Sequence, residues 1–508
     1  MTSPKISSIV RVEPPDGPST PTAETAAPTE SRQKTPRLVR FTAVCLICCI
    51  SVSSHWSAGV SKAMKSTIKD EMEISNTQFS LLEASEDFME TLLLMFSGIL
   101  TDRLGGAVMM VYGKMLYTIG SILVASAVTV RSFDFMIVGR VIAALGEIST
   151  KIAQYKMFSS WFAPSQGFAA TLGFESAAGK IGGFVSKATA NKCGFIWPFW
   201  IIVFVNLLGN TATLLFWFLN RYCEQHYDDP QDAATGENLK KSKFKFQRMF
   251  QISWMVWLIV AFALFEESTV AVFSQNSTEL AEMRFHTDRI TAGWYSAVAQ
   301  YGGLFLAPIL GIFLDVWGNR ATVLCICGTS LLLSMLVLTI FSSSSGTIAC
   351  FVLYGFVKAI GTTTIVDSFR TSLWEESIFG SAYALKETMN SATNVIVRMV
   401  TGVLQDADND SYRRVVRVYL FLSACLMVVG LVIFLAAVLD VNLAPLQWTR
   451  KERFAKGPTQ LALLRENHLV LNYRRTRWIS KLCFLAIMLL TMGSWAVYIW
   501  GAVTGNKG

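Results

Sequence analysis

Long apolar blocks separated by short polar stretches constrain the fold of this chain more than any other feature. Thirteen blocks reach about 20 residues or more, the length that a helix needs to cross about 30 Å of hydrocarbon. Charged residues make up 16% of the chain, against roughly 25% in soluble domains. The ten-residue alternating segments of an outer-membrane barrel are not seen. The sequence therefore predicts an all-α polytopic membrane protein and excludes an ordinary soluble enzyme.

The blocks form two groups of six and one further block near the carboxyl terminus. Residues 1–37 are too poor in apolar groups to bury a core and are predicted to be a disordered cytoplasmic tail. The predicted order is then a six-helix half, a cytoplasmic middle loop, a second six-helix half, a basic cytoplasmic segment and an extra transmembrane helix, at residues 38–220, 221–249, 250–440, 441–477 and 478–503.

Positive charge in the loops predicts the orientation. Five Lys and Arg residues cluster at residues 240–248 of the middle loop, and such clusters mark the cytoplasmic side. With a cytoplasmic amino terminus, the loops after the seventh and eleventh blocks face outside or into a lumen. Asn276 and Asn409 begin Asn-x-Ser/Thr sequons near those loops, so we expect both to be glycosylated. Because the basic charge belongs to a membrane chain, nucleic acid is not an expected partner.

A loop motif occurs twice, at corresponding places in the two halves. The first copy lies between the second and third blocks and reads Gly98-Ile99-Leu100-Thr101-Asp102-Arg103-Leu104-Gly105. The second copy lies between the eighth and ninth blocks and reads Gly311-Ile312-Phe313-Leu314-Asp315-Val316-Trp317-Gly318-Asn319-Arg320. Both resemble the Gly-x-x-x-Asp-Arg-x-Gly signature of the major facilitator superfamily. The resemblance covers residues 39–440 and implies transport by alternating access, in which two six-helix halves rock around a midplane site.

The resemblance also implies a conformational latch on the cytoplasmic side. Glycines permit a tight turn, and an Asp can lie against the positive amino end of a neighbouring helix. By this resemblance the latch residues are Gly98, Asp102, Arg103 and Gly105 in the first copy, with Asp315 and Arg320 in the second.

Ionisable residues inside the apolar blocks are the candidates for a substrate site, because a charge at membrane depth is costly unless it is paired or faces a watery cavity. The ionisable candidates, from the first, fourth, fifth, seventh, tenth and eleventh blocks, are His55, Glu147, Lys180, Glu266, Lys358 and Arg398, and the polar Gln154 of the fourth block is a further candidate. Charges of both signs suit a zwitterion, whose amine would meet Glu147 and whose carboxylate would meet Lys180 or Lys358. Two simpler interpretations stay open: Glu147 and Lys180 form a permanent structural ion pair, and His55 is structural.

A closer resemblance concerns the fourth and fifth blocks. The runs Gly146-Glu147, Ala153-Gln154 and Lys180-Ile181-Gly182-Gly183 are similar to those of lysosomal dipeptide transporters within the superfamily. This resemblance implies a dipeptide or small zwitterionic peptide as substrate and a lysosomal or vacuolar membrane rather than the plasma membrane. It also implies a glycosylated accessory subunit.

Two other functions stay open at this point. A monocarboxylate or organic-anion proton symporter would use Lys180, Lys358 and Arg398 as anion binders, and a non-transporting receptor or scaffold would use the same fold. The sequence does not decide between facilitated diffusion and proton coupling. It predicts no catalytic residues, no metal site and no cofactor, and the lipid bilayer and a small molecule are the expected partners.

Overall fold

The computed structural model describes residues 33–34, 36–161, 168–228, 252–373, 379–439, 443–456 and 473–505. The helices of the first half are α1 (Arg37–Ala63), α2 (Lys65–Met72), α3 (Asn76–Leu104), α4 (Gly106–Val130), α5 (Phe133–Trp161), α6 (Phe168–Thr189) and α7 (Trp197–His226). Those of the second half are α8 (Trp254–Phe285), α9 (Arg289–Trp317), α10 (Arg320–Ile340), α11 (Ser344–Ser372), α12 (Phe379–Asp406) and α13 (Arg413–Leu439). A short helix α14 (residues 450–456) and the long helix α15 (Tyr473–Gly505) follow.

Four small elements complete the described structure. Two 3₁₀ turns lie at Ala190–Cys193 and Ala444–Leu446. Two short strands, β1 (Gln33–Lys34) and β2 (Tyr227–Asp228), pair in parallel and join the start of α1 to the end of α7.

The prediction of an α-helical membrane protein is confirmed. Apart from α2 and α14, the described helices have 21 to 33 residues, and even the shortest would extend about 32 Å. Eight of them, α1, α4, α7, α8, α10, α11, α13 and α15, are also apolar enough to qualify as membrane spans on composition. Helices α3, α5, α6 and α12 are long enough but carry the buried ionisable residues, which lower their mean hydropathy.

Local sequence explains where the helices begin and how closely they pack. Ser75 caps α3 reciprocally: its hydroxyl accepts from the Gln78 N–H at 3.1 Å, and the Gln78 side chain accepts from the Ser75 N–H at 2.9 Å. Gly146 of α5 lies so near α4 that a Cβ there would be 2.2 Å from the Tyr117 nitrogen. A small residue at this position therefore permits the close α4–α5 contact.

The two halves meet along two helix pairs, α3 with α12 and α6 with α9. Helix α15 lies outside the first of these seams and contacts both α3 and α12. The Trp495 indole donates to the Thr91 hydroxyl at 2.8 Å, and Tyr498 stacks on Phe88 with ring centroids 4.3 Å apart. The extra helix is thus attached to the seam between the halves.

The structure changes one predicted boundary and with it one predicted modification. The seventh apolar block of the sequence ends at residue 275, but helix α8 continues ten residues further to Phe285, so Asn276 lies inside the helix, 3% exposed. Its side chain accepts from Lys65 at 2.8 Å and donates to the Tyr419 hydroxyl at 2.7 Å. The prediction of a glycan on Asn276 is therefore wrong, because a buried, hydrogen-bonded amide has no room for one. Asn409 lies exposed in the turn between α12 and α13, and its glycosylation stays a prediction.

The short helix α2, between the first two long helices, was not predicted. It lies at the same end of the molecule as the α8–α9 and α12–α13 turns, and we call this the α2 end. If the predicted orientation holds, the α2 end faces the lumen or the outside.

Candidate functional site

Lys180 lies between the two halves, near the middle of α6. It is 6% exposed, and its ammonium donates to the backbone carbonyl of Lys358 on α11 at 3.0 Å. The carboxylates within its electrostatic reach are Glu266 of α8 and Glu175 of α6. The predicted residues Lys180, Lys358 and Glu266 are therefore brought together, from helices of both halves.

Glu175 extends this group of residues to α1 and α5. Its carboxylate accepts from the Ser51 hydroxyl at 2.5 Å and from the Gln154 amide at 3.2 Å. The backbone carbonyl of Ser51 is also 3.0 Å from Nδ1 of His55, and the His55 ring lies directly over Gly179. His55 and Gln154 thus lie near Glu175, a residue that the sequence analysis missed although it is a charge within the fifth apolar block.

Glu266 and its neighbour Glu267 are both held inside the protein. Glu266 is 1% exposed and faces Gly361 of α11, where a Cβ would lie 2.2 Å from Oε1 of Glu266. Glu267 forms an ion pair with Lys386 of α12 at 2.9 Å. Glu266 therefore faces the group around Lys180, while Glu267 is neutralised by Lys386.

Lys187 and Lys358 both contact Ser274 of α8. The Lys187 ammonium donates to the Ser274 carbonyl at 3.3 Å and to the Ser277 hydroxyl at 3.2 Å. The Lys358 ammonium lies 3.5 Å from the Ser274 hydroxyl. Lys187 was also missed from the sequence, although it lies in the same apolar block as Lys180.

Glu147 lies elsewhere, in a pocket inside the first half. Its lining comes from α1, α3, α4, α5 and α7 and includes Glu86, Tyr117 and Arg140. Within the described chain no ion pair joins Glu147 to Lys180, so the structural bridge that the sequence left open is not formed. The structure also does not bring Glu147 to the group around Lys180.

Arg398 belongs to an ion-pair network between the halves. Its guanidinium contacts Asp87 at 2.7 Å and Glu83 at 3.6 Å, and it also donates to Gln275. Glu83 in turn contacts Arg140 of α5 at 2.9 Å. Because its donors are used in these contacts, Arg398 links α3 to α12 and α8 and is not placed beside Lys180.

A second interhalf network closes the α2 end. Lys65 is 1% exposed and contacts Glu279 of α8 at 2.7 Å, Gln405 of α12 at 2.9 Å and the Tyr412 hydroxyl at 3.1 Å. Lys69 contacts Glu279 at 3.0 Å and Asp410 at 3.1 Å. Helix α2 is thereby fastened to the second half, and we call this set of contacts the α2 clamp.

The charges on the exposed side of the clamp reinforce one another. A hydrogen bond from the Asn76 side chain, together with Lys69, lowers the pKa of Asp410. Partial burial opposes the charge on Lys69, but the Glu279 and Asp410 carboxylates outweigh burial and raise the pKa of Lys69. Both groups therefore keep their charges over a wide pH range.

The two copies of the loop motif are described to different extents. Gly98, Asp102 and Arg103 lie on α3, but their side chains lie outside the described part of the structure, so the first latch stays a prediction. Gly105 ends α3 with φ of 89°, a conformation that favours glycine.

In the second copy Arg320 is fully buried and contacts Asp367 of α11 at 2.5 Å. The segment after α13 packs on this copy, since the Gln447 side chain donates to Thr322 at 3.0 Å and the Trp448 carbonyl lies against Gly318. Asp315 lies in the last turn of α9, next to this contact.

Comparison with known proteins agrees with this architecture. The model of the Major Facilitator Superfamily matches residues 45–280 and again residues 268–507. The chain therefore belongs to the Major Facilitator Superfamily, whose members are membrane transporters and not enzymes.

Two relatives and one solved structure are similar to the chain. The lysosomal dipeptide transporter MFSD1 of Homo sapiens is 21% identical over 406 residues, covering 76% of this chain and 82% of the relative. The same transporter of Pongo abelii is 22% identical over 410 residues, covering 76% and 83%. The crystal structure of the superfamily transporter FucP in the outward conformation has a TM-score of 0.56 at 15% identity, covering 77% of this chain and 98% of FucP. This last likeness shows the fold alone.

Proposed function

We propose that the protein carries dipeptides or small zwitterionic peptides across a membrane by alternating access. The observation that carries the proposal is the placement of Lys180 between the halves, with Glu175 and Glu266 as its opposite charges. Charges of both signs at membrane depth are expensive to maintain, and they suit a substrate that brings both signs itself.

We assign the two ends of the substrate to different residues. The substrate carboxylate binds the Lys180 ammonium, which donates in the structure to one neutral carbonyl. The substrate amine binds Glu175, whose hydrogen-bond partners Ser51 and Gln154 are also neutral. Charge-assisted hydrogen bonds would replace neutral ones at both ends. Glu147, with Glu86 beside it in a separate pocket, is the second candidate for the amine.

Alternating access requires the two halves to separate at one end at a time. The α2 clamp and the Arg398 network join the halves at the α2 end. We therefore propose that release or entry at that end requires both networks to open, and that the rest of the cycle takes place with both networks closed.

The location rests on the relatives. Both are named as lysosomal transporters, and we propose a lysosomal or vacuolar membrane with a cytoplasmic amino terminus for this chain. A glycosylated accessory subunit belongs to the same proposal.

An organic-anion carrier is the second candidate function, because Lys187 and Lys358 contact only neutral groups among the described residues. Such a carrier would accept monocarboxylates that have no amine.

Uptake into proteoliposomes tests these proposals. Labelled dipeptides, free amino acids and monocarboxylates are compared with and without a proton gradient. Saturable dipeptide uptake supports the proposed function, and its response to the gradient decides proton coupling. Uptake of monocarboxylates alone contradicts the peptide proposal and supports the second candidate. No uptake of any of these by folded protein contradicts both.

A further inference from the structure

Three lysines from three helices gather on the side of Lys180 nearer the α2 end. Lys187 of α6 and Lys358 of α11 both reach Ser274 of α8, through its carbonyl and its hydroxyl. Lys62 of α1 lies within electrostatic reach of both. Each ammonium therefore repels the other two, and their grouping has an energetic cost.

Like Lys180 and Lys114, these lysines have no carboxylate at ion-pair distance among the described residues. Lys187 is as buried as Lys65, Lys386 and Arg320, each of which contacts a carboxylate at 2.5 to 2.9 Å, whereas Lys62 and Lys358 are half-buried. The carboxylates nearest Lys62 are those of α3, and Glu83, Glu86 and Asp87 are already engaged by Arg140 and Arg398.

Uncompensated charge inside a membrane protein costs several kcal/mol unless an opposite charge or a watery cavity offsets it. A ligand carboxylate beside the three lysines would offset this cost. The Ser274 hydroxyl lies beside the Lys358 ammonium and can donate a further hydrogen bond to an oxygen anion, whereas the Ser277 hydroxyl already donates to the Ser274 carbonyl at 2.9 Å.

We propose that Lys62, Lys187 and Lys358 form a second carboxylate subsite, and that the preferred substrates are dipeptides with an acidic side chain. This inference rests on the proposed function. Lys180 donates to the carbonyl of Lys358, whose own ammonium reaches Ser274, so the two subsites are about one lysine side chain apart. One carboxylate of the peptide binds Lys180, the other binds at Ser274, and the amine binds Glu175.

Ala-Glu and Ala-Gln form a matched pair for the test, since they have nearly the same shape and differ by one carboxylate. Uptake of both into proteoliposomes containing the full chain is measured as a function of concentration. One additional charged hydrogen bond corresponds to about a tenfold change in binding. We expect the half-saturation concentration for Ala-Glu to be about tenfold below that for Ala-Gln, and Lys187→Gln to bring this ratio close to one. Lys187→Arg should keep the preference, and so should Lys481→Gln, which removes an exposed lysine of α15.

Equal half-saturation concentrations in the wild type, with saturable uptake of both peptides, overturn the subsite and leave the proposed function standing. A preference that persists in folded Lys187→Gln also overturns it. If neither peptide is taken up saturably, the proposed function itself is contradicted. The wild-type comparison decides the matter even if the Lys187 variant does not fold.

Discussion

At the scale of single residues, the partner of each buried charge separates structural groups from candidates for substrate binding. Arg398 and Lys65 are surrounded by carboxylates and amides of the opposite half. Lys180 and Glu175 contact neutral groups, although both are charged types within apolar blocks. A buried charge whose partners are neutral is stabilised most by a ligand of opposite charge. This criterion identifies the substrate site better than the position of a residue within an apolar block.

Replacing Glu175 by Gln removes the carboxylate but keeps an oxygen that Ser51 and Gln154 can bond. We expect saturable dipeptide uptake to fall at least about tenfold, because a charge-assisted hydrogen bond to the substrate amine is lost. Initial uptake rates in proteoliposomes measure the effect. Glu73→Gln, at an exposed position after α2, is the matched control and should transport normally. Normal uptake by Glu175→Gln together with loss in Glu147→Gln would move the amine site to the Glu147 pocket.

The lowered pKa of Asp410 leads to a prediction about how the stability of the protein depends on pH. Its pKa is lowered from the ordinary value of 3.8, so its contribution to stability is complete above that value and is lost only as the pH falls through the lower folded-state pKa. The difference in melting temperature between wild type and Asp410→Asn should therefore be the same at about pH 7 and about pH 5. Thermal unfolding of the purified protein measures this difference. A difference that disappears at about pH 5 would contradict the assignment of the charge on Asp410.

At the scale of elements, the short helix α2 and the extra helix α15 attach to the seams between the halves. Helix α2 belongs to the first half and pairs with Arg131 there, but it also forms ion pairs with α8, with Arg289 of α9 and with the α12–α13 turn. Helix α15 contacts α3 through Trp495 and Tyr498, and it contacts α8 through Ser480, whose hydroxyl accepts from Trp257 at 3.2 Å. Both helices therefore make contacts that affect how readily the two halves move relative to each other.

Lys65→Met tests the clamp. The substitution leaves Glu279, 4% exposed, without its nearest cation, and loss of one partner of a buried pair typically costs about 3–5 kcal/mol. We expect a clearly lower melting temperature of the purified protein.

Lys456→Met, which removes an exposed surface lysine that pairs with Glu452, is the control and should change the melting temperature little. A Lys65 variant as stable as the control would show that the clamp does not hold the α2 end closed.

At the scale of the whole molecule, the orientation in the membrane determines which side the closed α2 end faces. The predicted orientation places the α2 end in the lumen, and the structure joins the halves at that end. Asn409 lies in an exposed turn there, whereas Asn276 is enclosed between the halves by Lys65 and Tyr419.

Glycosidase treatment tests the orientation. We expect it to shift the electrophoretic mobility of the wild type and of Asn276→Gln, but not of Asn409→Gln, because only the exposed sequon can accept a glycan. Absence of a shift in the wild type would contradict a lumenal α2 end.

The thirteen long helices could be predicted from the sequence, since a span of about 20 apolar residues has few alternatives to a helix in a membrane. The short helices α2 and α14 could not, because neither is an apolar block. The doubled loop motif predicted the family in the same way, because its glycines and charges are local signals. Boundaries were less predictable: polar residues such as Asn276 continue α8 where hydropathy ends, since the partners that satisfy them lie on α2 and α13.

The pairing of the charges was decided only by the tertiary structure. The sequence placed Glu147, Lys180 and Arg398 within apolar blocks, but it did not specify which helices pack against one another. Packing turned Arg398 toward Asp87, left Glu147 inside the first half, and brought Lys180 to Lys358 and Glu266. An ion pair forms only when the two side chains lie within a few ångströms of each other. Some of these partners are hundreds of residues apart in the sequence, so their separation is determined only when the helices pack.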